Sequence, residues 1–95
     1  MKIADIRPGM SNIAIEAKVV DKGEVREVQT RYGPRSVADF TLEDDTGQIS
    51  LSLWEKQINS VAIGDTVSID GGYSTQFRDK LQLNIPKNGK LEITK

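Results

Sequence analysis

The run Gln48-Ile49-Ser50-Leu51-Ser52-Leu53-Trp54 alternates apolar and polar residues with period two. That periodicity fits a half-buried strand; a helix would repeat its apolar residues every three or four positions. Ile49, Leu51 and Leu53 form the core-facing stripe, so Trp54, the chain's single tryptophan, falls on the opposite face with Ser50 and Ser52. A tryptophan there is either a lid over a rim, half covered by a neighbouring loop, or a platform offered to something outside.

The rest of the chain supplies the partners of this strand. Residues 1–6 allow one helical turn, which Arg7-Pro8-Gly9 stops because proline restricts the residue before it and glycine permits a reversal. Residues 12–20 read as a first strand, with Ile13, Ile15, Ala17 and Val19 on one face. It is expected to run on through residues 24–29, with Asp21-Lys22-Gly23 as a bulge or bend. Gly33-Pro34 marks a hairpin whose tip carries Arg31, Tyr32 and Arg35. The return strand over 36–43 puts Ala38, Phe40 and Leu42 on one side and Val37, Asp39 and Thr41 on the other. Asp44-Asp45-Thr46-Gly47 is a tight turn into the Trp54 strand, which completes an antiparallel meander.

Residues 55–60 are too short and polar for a stable helix and are expected to make one surface turn. Val61, Ala62 and Ile63 supply apolar plugs before a fourth strand over 66–74. Gly71-Gly72 inside it indicates a sharp coil or a close backbone crossing. Phe77-Arg78-Asp79-Lys80 forms a hairpin tip, and Leu81, Leu83 and Ile85 alternate with Gln82 and Asn84 in a fifth strand that Pro86 ends. Leu91 and Ile93 make a short edge strand or pack under the domain. A long bent first strand, a meander and a short connection between strands three and four are the order of an all-β, five-stranded Greek-key barrel.

Composition narrows the chemistry. At 95 residues the chain is one domain. With neither cysteine nor histidine it has no disulfide, no thiolate metal site and no imidazole base. No segment approaches the roughly 18 apolar residues of a membrane span, and residues 1–10 lack a signal peptide's apolar run. A soluble, cytoplasmic protein is expected. Thirteen basic and fourteen acidic residues give a net charge of −1, so a polyanion would have to be gripped by a local patch. The carboxylates Glu43, Asp44 and Asp45 read as turn residues, because aspartates before Thr-Gly bond their own backbone. No phosphate loop, nucleophile elbow or metal-ligand spacing is present, so neither an enzyme nor a bound metal or cofactor is expected.

Binding is the better-supported reading. Trp54, the first hairpin tip with Arg31, Tyr32 and Arg35, and the last tip with Phe77, Arg78 and Lys80 fall around one face of the meander. Aromatic faces stack unpaired bases while guanidinium and ammonium groups take the phosphates. Each piece also has an ordinary explanation: Tyr32 covering its hairpin, Phe77 plugging the barrel end, arginines solvated at tips.

The stretch 37–54 with Asp44-Asp45-Thr46-Gly47 and Ser50-Leu51-Ser52-Leu53-Trp54, the opening Ile6-Arg7-Pro8-Gly9-Met10, the hairpin Thr30-Arg31-Tyr32-Gly33-Pro34-Arg35, and the segments Gly64-Asp65-Thr66-Val67 and Tyr73-Ser74-Thr75-Gln76-Phe77 together resemble a known family. They are similar to archaeal single-stranded DNA-binding proteins, to the OB domains of archaeal replication protein A (replication factor A), and to the eukaryotic sensor-type single-stranded DNA-binding proteins. The likeness covers residues 1–85 in order and spacing. It implies an OB fold and sequence-tolerant binding of single-stranded DNA in replication, recombination and repair. Three aromatics stack on bases in the simple archaeal proteins. Trp54 matches the first, Phe77 the third, and Tyr73 stands at the second, commonly tryptophan, where it stacks with less area. Arg31, Arg35, Arg78 and Lys80 fall where basic loop residues of the family approach the DNA backbone.

Single-domain members of the family carry a glycine-rich, charged tail for protein partners, which residues 1–95 do not contain. Either such a tail lies outside these residues, or this is one OB domain of a multi-domain replication protein A working with other OB domains or subunits. The second is preferred, because a nearly neutral domain with one tryptophan gains greatly from tandem linkage. Two rival readings stay open: an OB domain that serves as a protein-interaction module, and one that binds RNA.

Overall fold

Period-two alternation repeats along most of the chain, and each run that carries it forms a strand. The computed structural model describes residues 2–77, 79–86 and 88–94, with Phe77 described by its backbone alone. A 3-10 turn, Ile3–Asp5, precedes β1 (Ile13–Lys22), β2 (Arg26–Thr30), β3 (Gly33–Asp44) and β4 (Gly47–Trp54). A one-turn helix α1 (Lys56–Ser60) leads to β5 (Thr66–Phe77), β6 (Lys80–Asn84) and β7 (Lys90–Thr94).

The strands close on themselves. β1 pairs antiparallel with both β3 and β5, β3 with β4, and β5 with β6, while β4 and β6 meet in parallel. The path β1-β3-β4-β6-β5 therefore returns to β1, giving the five-stranded OB barrel expected from the sequence. Closure satisfies the backbone groups that an open sheet would leave at its edges. β2 extends β3 and β7 extends β5 outside the ring.

Inside the ring the alternation is obeyed. Ile13, Ile15, Ala17 and Val19 of β1, Ala38, Phe40 and Leu42 of β3, and Ile49, Leu51 and Leu53 of β4 are all buried in one cluster. Each large side chain so placed contributes roughly 1.5–3 kcal/mol of transfer free energy.

The structure also corrects details. The long first strand is two strands, broken at Gly23-Glu24-Val25, and its register slips between Val19 and Asp21. The first hairpin turns at Arg31-Tyr32, since Thr30 pairs with Gly33 and Gln29 with Pro34. Gly33, at φ +101°, supplies the left-handed residue that restarts the strand, and Arg35 lies in β3 opposite Val28. Ile63 is exposed, so it plugs nothing; Ile58 on α1 and Val61 are buried and close that end of the barrel.

β5 changes partners halfway. Thr66 to Ile69 pair with β1 on one side, Thr66 to Asp70 with β7 on the other, Gly72 meets Ile13 of β1 again, and Tyr73 to Phe77 pair with β6. Between them Gly71 takes φ +78°, and a Cβ on Gly72 would lie 3.2 Å from the Asn84 carbonyl oxygen. Both expected uses of the glycine pair, the sharp coil and the close crossing, occur together.

Asp44 holds the β3–β4 turn. Its carboxylate accepts from the N–H groups of Thr46 (2.7 Å), Gly47 (3.2 Å) and Ile3 (2.8 Å), so the turn also caps the N-terminal 3-10 turn.

Candidate nucleic-acid interface

Side chains that point away from the core on β3, β4, β6 and β5 make one continuous outer face. Register assigns its members. Val37, Asp39 and Thr41 of β3 pair with Trp54, Ser52 and Ser50 of β4. Ser50 and Ser52 pair with Gln82 and Asn84 of β6, and these pair with Thr75 and Tyr73 of β5. Trp54 and Tyr73 therefore stand on the same face, two strands apart. They are exposed to nearly the same degree, 39% and 38%.

Trp54 is held by what surrounds it. Val37, opposite it and also opposite Arg26 of β2, is 2% exposed although it lies outside the core cluster. It forms an apolar floor beside the indole. After Trp54 the chain reverses at Glu55, whose φ is +52°. Its N–H donates to the Ser36 carbonyl at 3.0 Å, and its carboxylate accepts from the Ser36 N–H at 3.2 Å. These bonds fasten the end of β4 to β3 where a left-handed residue costs free energy.

Between the aromatics runs a polar network. Asp39 Oδ1 accepts from Ser52 Oγ at 3.1 Å and Gln82 Nε2 at 3.2 Å, and Gln82 Nε2 also donates to Ser52 Oγ at 3.1 Å. Asp39 Oδ2 accepts from the Arg26 guanidinium at 3.2 Å. Asn84 Nδ2 donates to Thr75 Oγ1 at 3.1 Å and orients the neighbouring pair. Two open clefts adjoin the network. One of about 400 Å³ lies among Gly23, Glu24, Arg26, Asp39, Thr41, Ser50 and Lys80, and another of about 460 Å³ among Arg26, Asp39, Thr75, Lys80 and Gln82.

The cations are unevenly placed. Lys80, exposed at the start of β6, lines both clefts. Arg35 is exposed on the same face of β3, one outward position beyond Val37, with its guanidinium 3.8 Å from Glu55. Arg31 and Tyr32 form the β2–β3 tip beyond the Thr30–Gly33 pair, which itself lies four residues past the Val37–Trp54 pair. At about 3.3 Å per residue that is roughly 13 Å along the strand, so the tip projects beyond the aromatic face. Tyr32 is 76% exposed there and covers nothing. Arg78 and the Phe77 side chain lie outside the described residues; the Phe77 backbone pairs with Lys80.

Arg26, Asp39, Ser52 and Gln82 were not singled out by the sequence. The period-two parity already put Asp39 and Ser52 on the Trp54 side, but nothing local reveals that β6 returns Gln82 to them. Among the described residues no group of three acidic side chains is arranged to hold a metal ion. No helix among them is long and apolar enough to cross a membrane.

Comparison with known proteins agrees with this fold. The chain is 30% identical to the single-stranded DNA binding protein Ssb of Saccharolobus solfataricus, over 95% of the chain and 61% of that protein. It is 39% identical to replication factor A of Methanothermobacter thermautotrophicus, over 96% of the chain but 12% of that protein. An OB domain from Thermoplasma acidophilum superposes with a TM-score of 0.85 at 26% identity, covering 99% of this chain and 85% of that one. The chain thus spans less than two thirds of either relative's length. Residues 6–93 match the family model for the single-stranded DNA binding protein Ssb-like OB fold, and the chain belongs to that family.

Proposed function

We propose that this domain binds single-stranded DNA with little sequence preference and thereby serves replication, recombination and repair. The observation that carries the reading is the placement of Trp54 and Tyr73, two large aromatics left more than a third exposed, on one face of a closed barrel. Exposed apolar surface gathered on one face marks an interaction site where single exposed side chains do not. Stacking contributes roughly 1–3 kcal/mol per base in OB-fold proteins of this kind. Phe77, whose backbone continues β5 beyond Thr75, is assigned the third stacking position by the family resemblance. Lys80 and Arg35 take phosphates beside that row, Arg78 is assigned a phosphate by the family resemblance alone, and Arg31 and Tyr32 reach the strand where it leaves the face. The names of the relatives support DNA as the polymer and binding, not catalysis, as the activity.

The domain works in the cytoplasm as one OB module, residues 1–95, beside other OB domains or subunits. The small share of replication factor A that it covers supports this arrangement. Linked modules turn modest single-site affinities into strong avidity.

The test uses the single tryptophan. Titration with oligothymidylate should quench Trp54 fluorescence saturably and more weakly as salt rises, because phosphate contacts release counterions. Duplex of equal length should not compete. Absence of any change at low salt and high concentration would sink the reading and favour a protein-interaction module. Equal competition by a matched RNA would remove the assignment to DNA.

A further inference from the structure

Resting on the single-strand reading, we propose that Arg26 and Asp39 form a base-reading pair that favours cytosine at one position of the bound strand. Asp39 sits one outward position from the Val37–Trp54 pair, so a base stacked on Trp54 brings its neighbour's edge to the cleft that both residues line. A carboxylate here repels phosphate, and that places bases, not backbone, over the centre of the face.

The hydrogen-bond inventory fixes what the pair offers. A carboxylate has about four acceptor sites. Oδ1 uses two, on Ser52 and Gln82, and Oδ2 uses one, on Arg26. One acceptor on Oδ2 remains, and the Asp39 side chain is 22% exposed. Arg26 is half exposed and, among the described residues, its side chain donates to Asp39 only, so further N–H groups remain beside that oxygen. The edge therefore reads acceptor, donor, donor. Cytosine presents the complement, its N4 amino donor followed by the N3 and O2 acceptors. Thymine presents acceptor, donor, acceptor and sets a carbonyl against the carboxylate. Aspartate accepting from cytosine N4 is a known mode of base reading. Ser52, 6% exposed, and Gln82 are positioning residues that hold Asp39 from behind.

Affinities of oligocytidylate and oligothymidylate of equal length, followed by Trp54 fluorescence, test the pair. Oligocytidylate should bind about threefold to tenfold more tightly, the net value of one added hydrogen bond. In Asp39→Asn the two should come within twofold of each other, and both should bind more tightly for loss of a negative charge. The Asp39 carboxyl carbon resonance should move on adding oligocytidylate and not oligothymidylate, a readout that a merely bracing carboxylate would not give. Equal binding of the two by the natural protein, or a cytosine preference kept in Asp39→Asn, would overturn the proposal and leave single-strand binding intact. Binding of neither would overturn both.

Discussion

Gly23 donates its backbone N–H to the carbonyl oxygen of Asp39 at 2.7 Å, and a Cβ on Gly23 would stand the same 2.7 Å from that oxygen. The loop between β1 and β2 thus lies directly on β3 at the residue that centres the outer face. Gly23→Ala has to push the loop off a backbone atom that cannot give way. Overpacking of this kind costs about 1–3 kcal/mol, to be read as a lowered urea midpoint at unchanged slope. The cleft beside Asp39 should open as well, so oligonucleotide affinity should fall more than an equally destabilising core substitution lowers it.

Trp54→Ala should weaken oligothymidylate binding by about fivefold to a hundredfold, the range that loss of one stacked base implies. Tyr73→Ala should act in the same direction and less strongly, for its smaller ring. Anisotropy of a labelled oligonucleotide measures both without the tryptophan signal. Neither ring belongs to the core cluster, so thermal unfolding of Tyr73→Ala should stay close to that of the natural protein. Unchanged affinity in both variants would remove the stacking face from the site.

The strands were legible because each residue's inward or outward direction is set by its immediate neighbours. Ile49 to Trp54 and Ile13 to Val19 declare their faces without reference to the rest of the chain. What the sequence hid depends on partners far along the chain. That β4 meets β6 in parallel, and so brings Gln82 to Ser52 and Asp39, follows from barrel closure and from no local pattern. The misplaced hairpin turn has a local cause. Gly33-Pro34 looks like a corner, but Thr30 closes the turn with its own side chain, donating to the Gly33 carbonyl at 2.7 Å and accepting from the Tyr32 N–H at 3.1 Å. Ile58, not Ile63, fills the barrel end because the helical turn, not the following loop, faces it.

Ser74 is 2% exposed and joins the N-terminal arm to β5. Its hydroxyl donates to the Arg7 carbonyl and accepts from the Met10 N–H at 2.9 Å, while its backbone N–H donates to the Met10 carbonyl at 2.9 Å. Ser74→Ala leaves one part-buried donor, the Met10 N–H, and one part-buried acceptor, the Arg7 carbonyl, without this partner. Loss of such bonds costs about 0.5–1.5 kcal/mol each. Denaturant unfolding should show that loss, and hydrogen exchange should show faster exchange at Met10 than in the natural protein. A hydroxyl restored by Ser74→Thr tests whether the bonds or the cavity size dominate.

Asp44 gives the fold an acid limit. Removal of water from its carboxylate raises its pKa, but the Thr46 hydroxyl and the N–H groups of Ile3, Thr46 and Gly47 together lower it by more, to about 2 from an ordinary 3.8. All of these donors favour the charged form. Because the folded value lies below the unfolded one, the unfolded chain binds the proton first as pH falls. Stability from this group is complete above the unfolded value near 4 and is lost as pH drops through the folded value near 2. Asp44→Asn keeps an acceptor oxygen and cannot ionise. It should melt below the natural protein at pH 7, and the gap should close between pH 4 and pH 2. A gap that stayed constant over that window would mean that the side chain acts by shape and hydrogen bonding alone, without its charge.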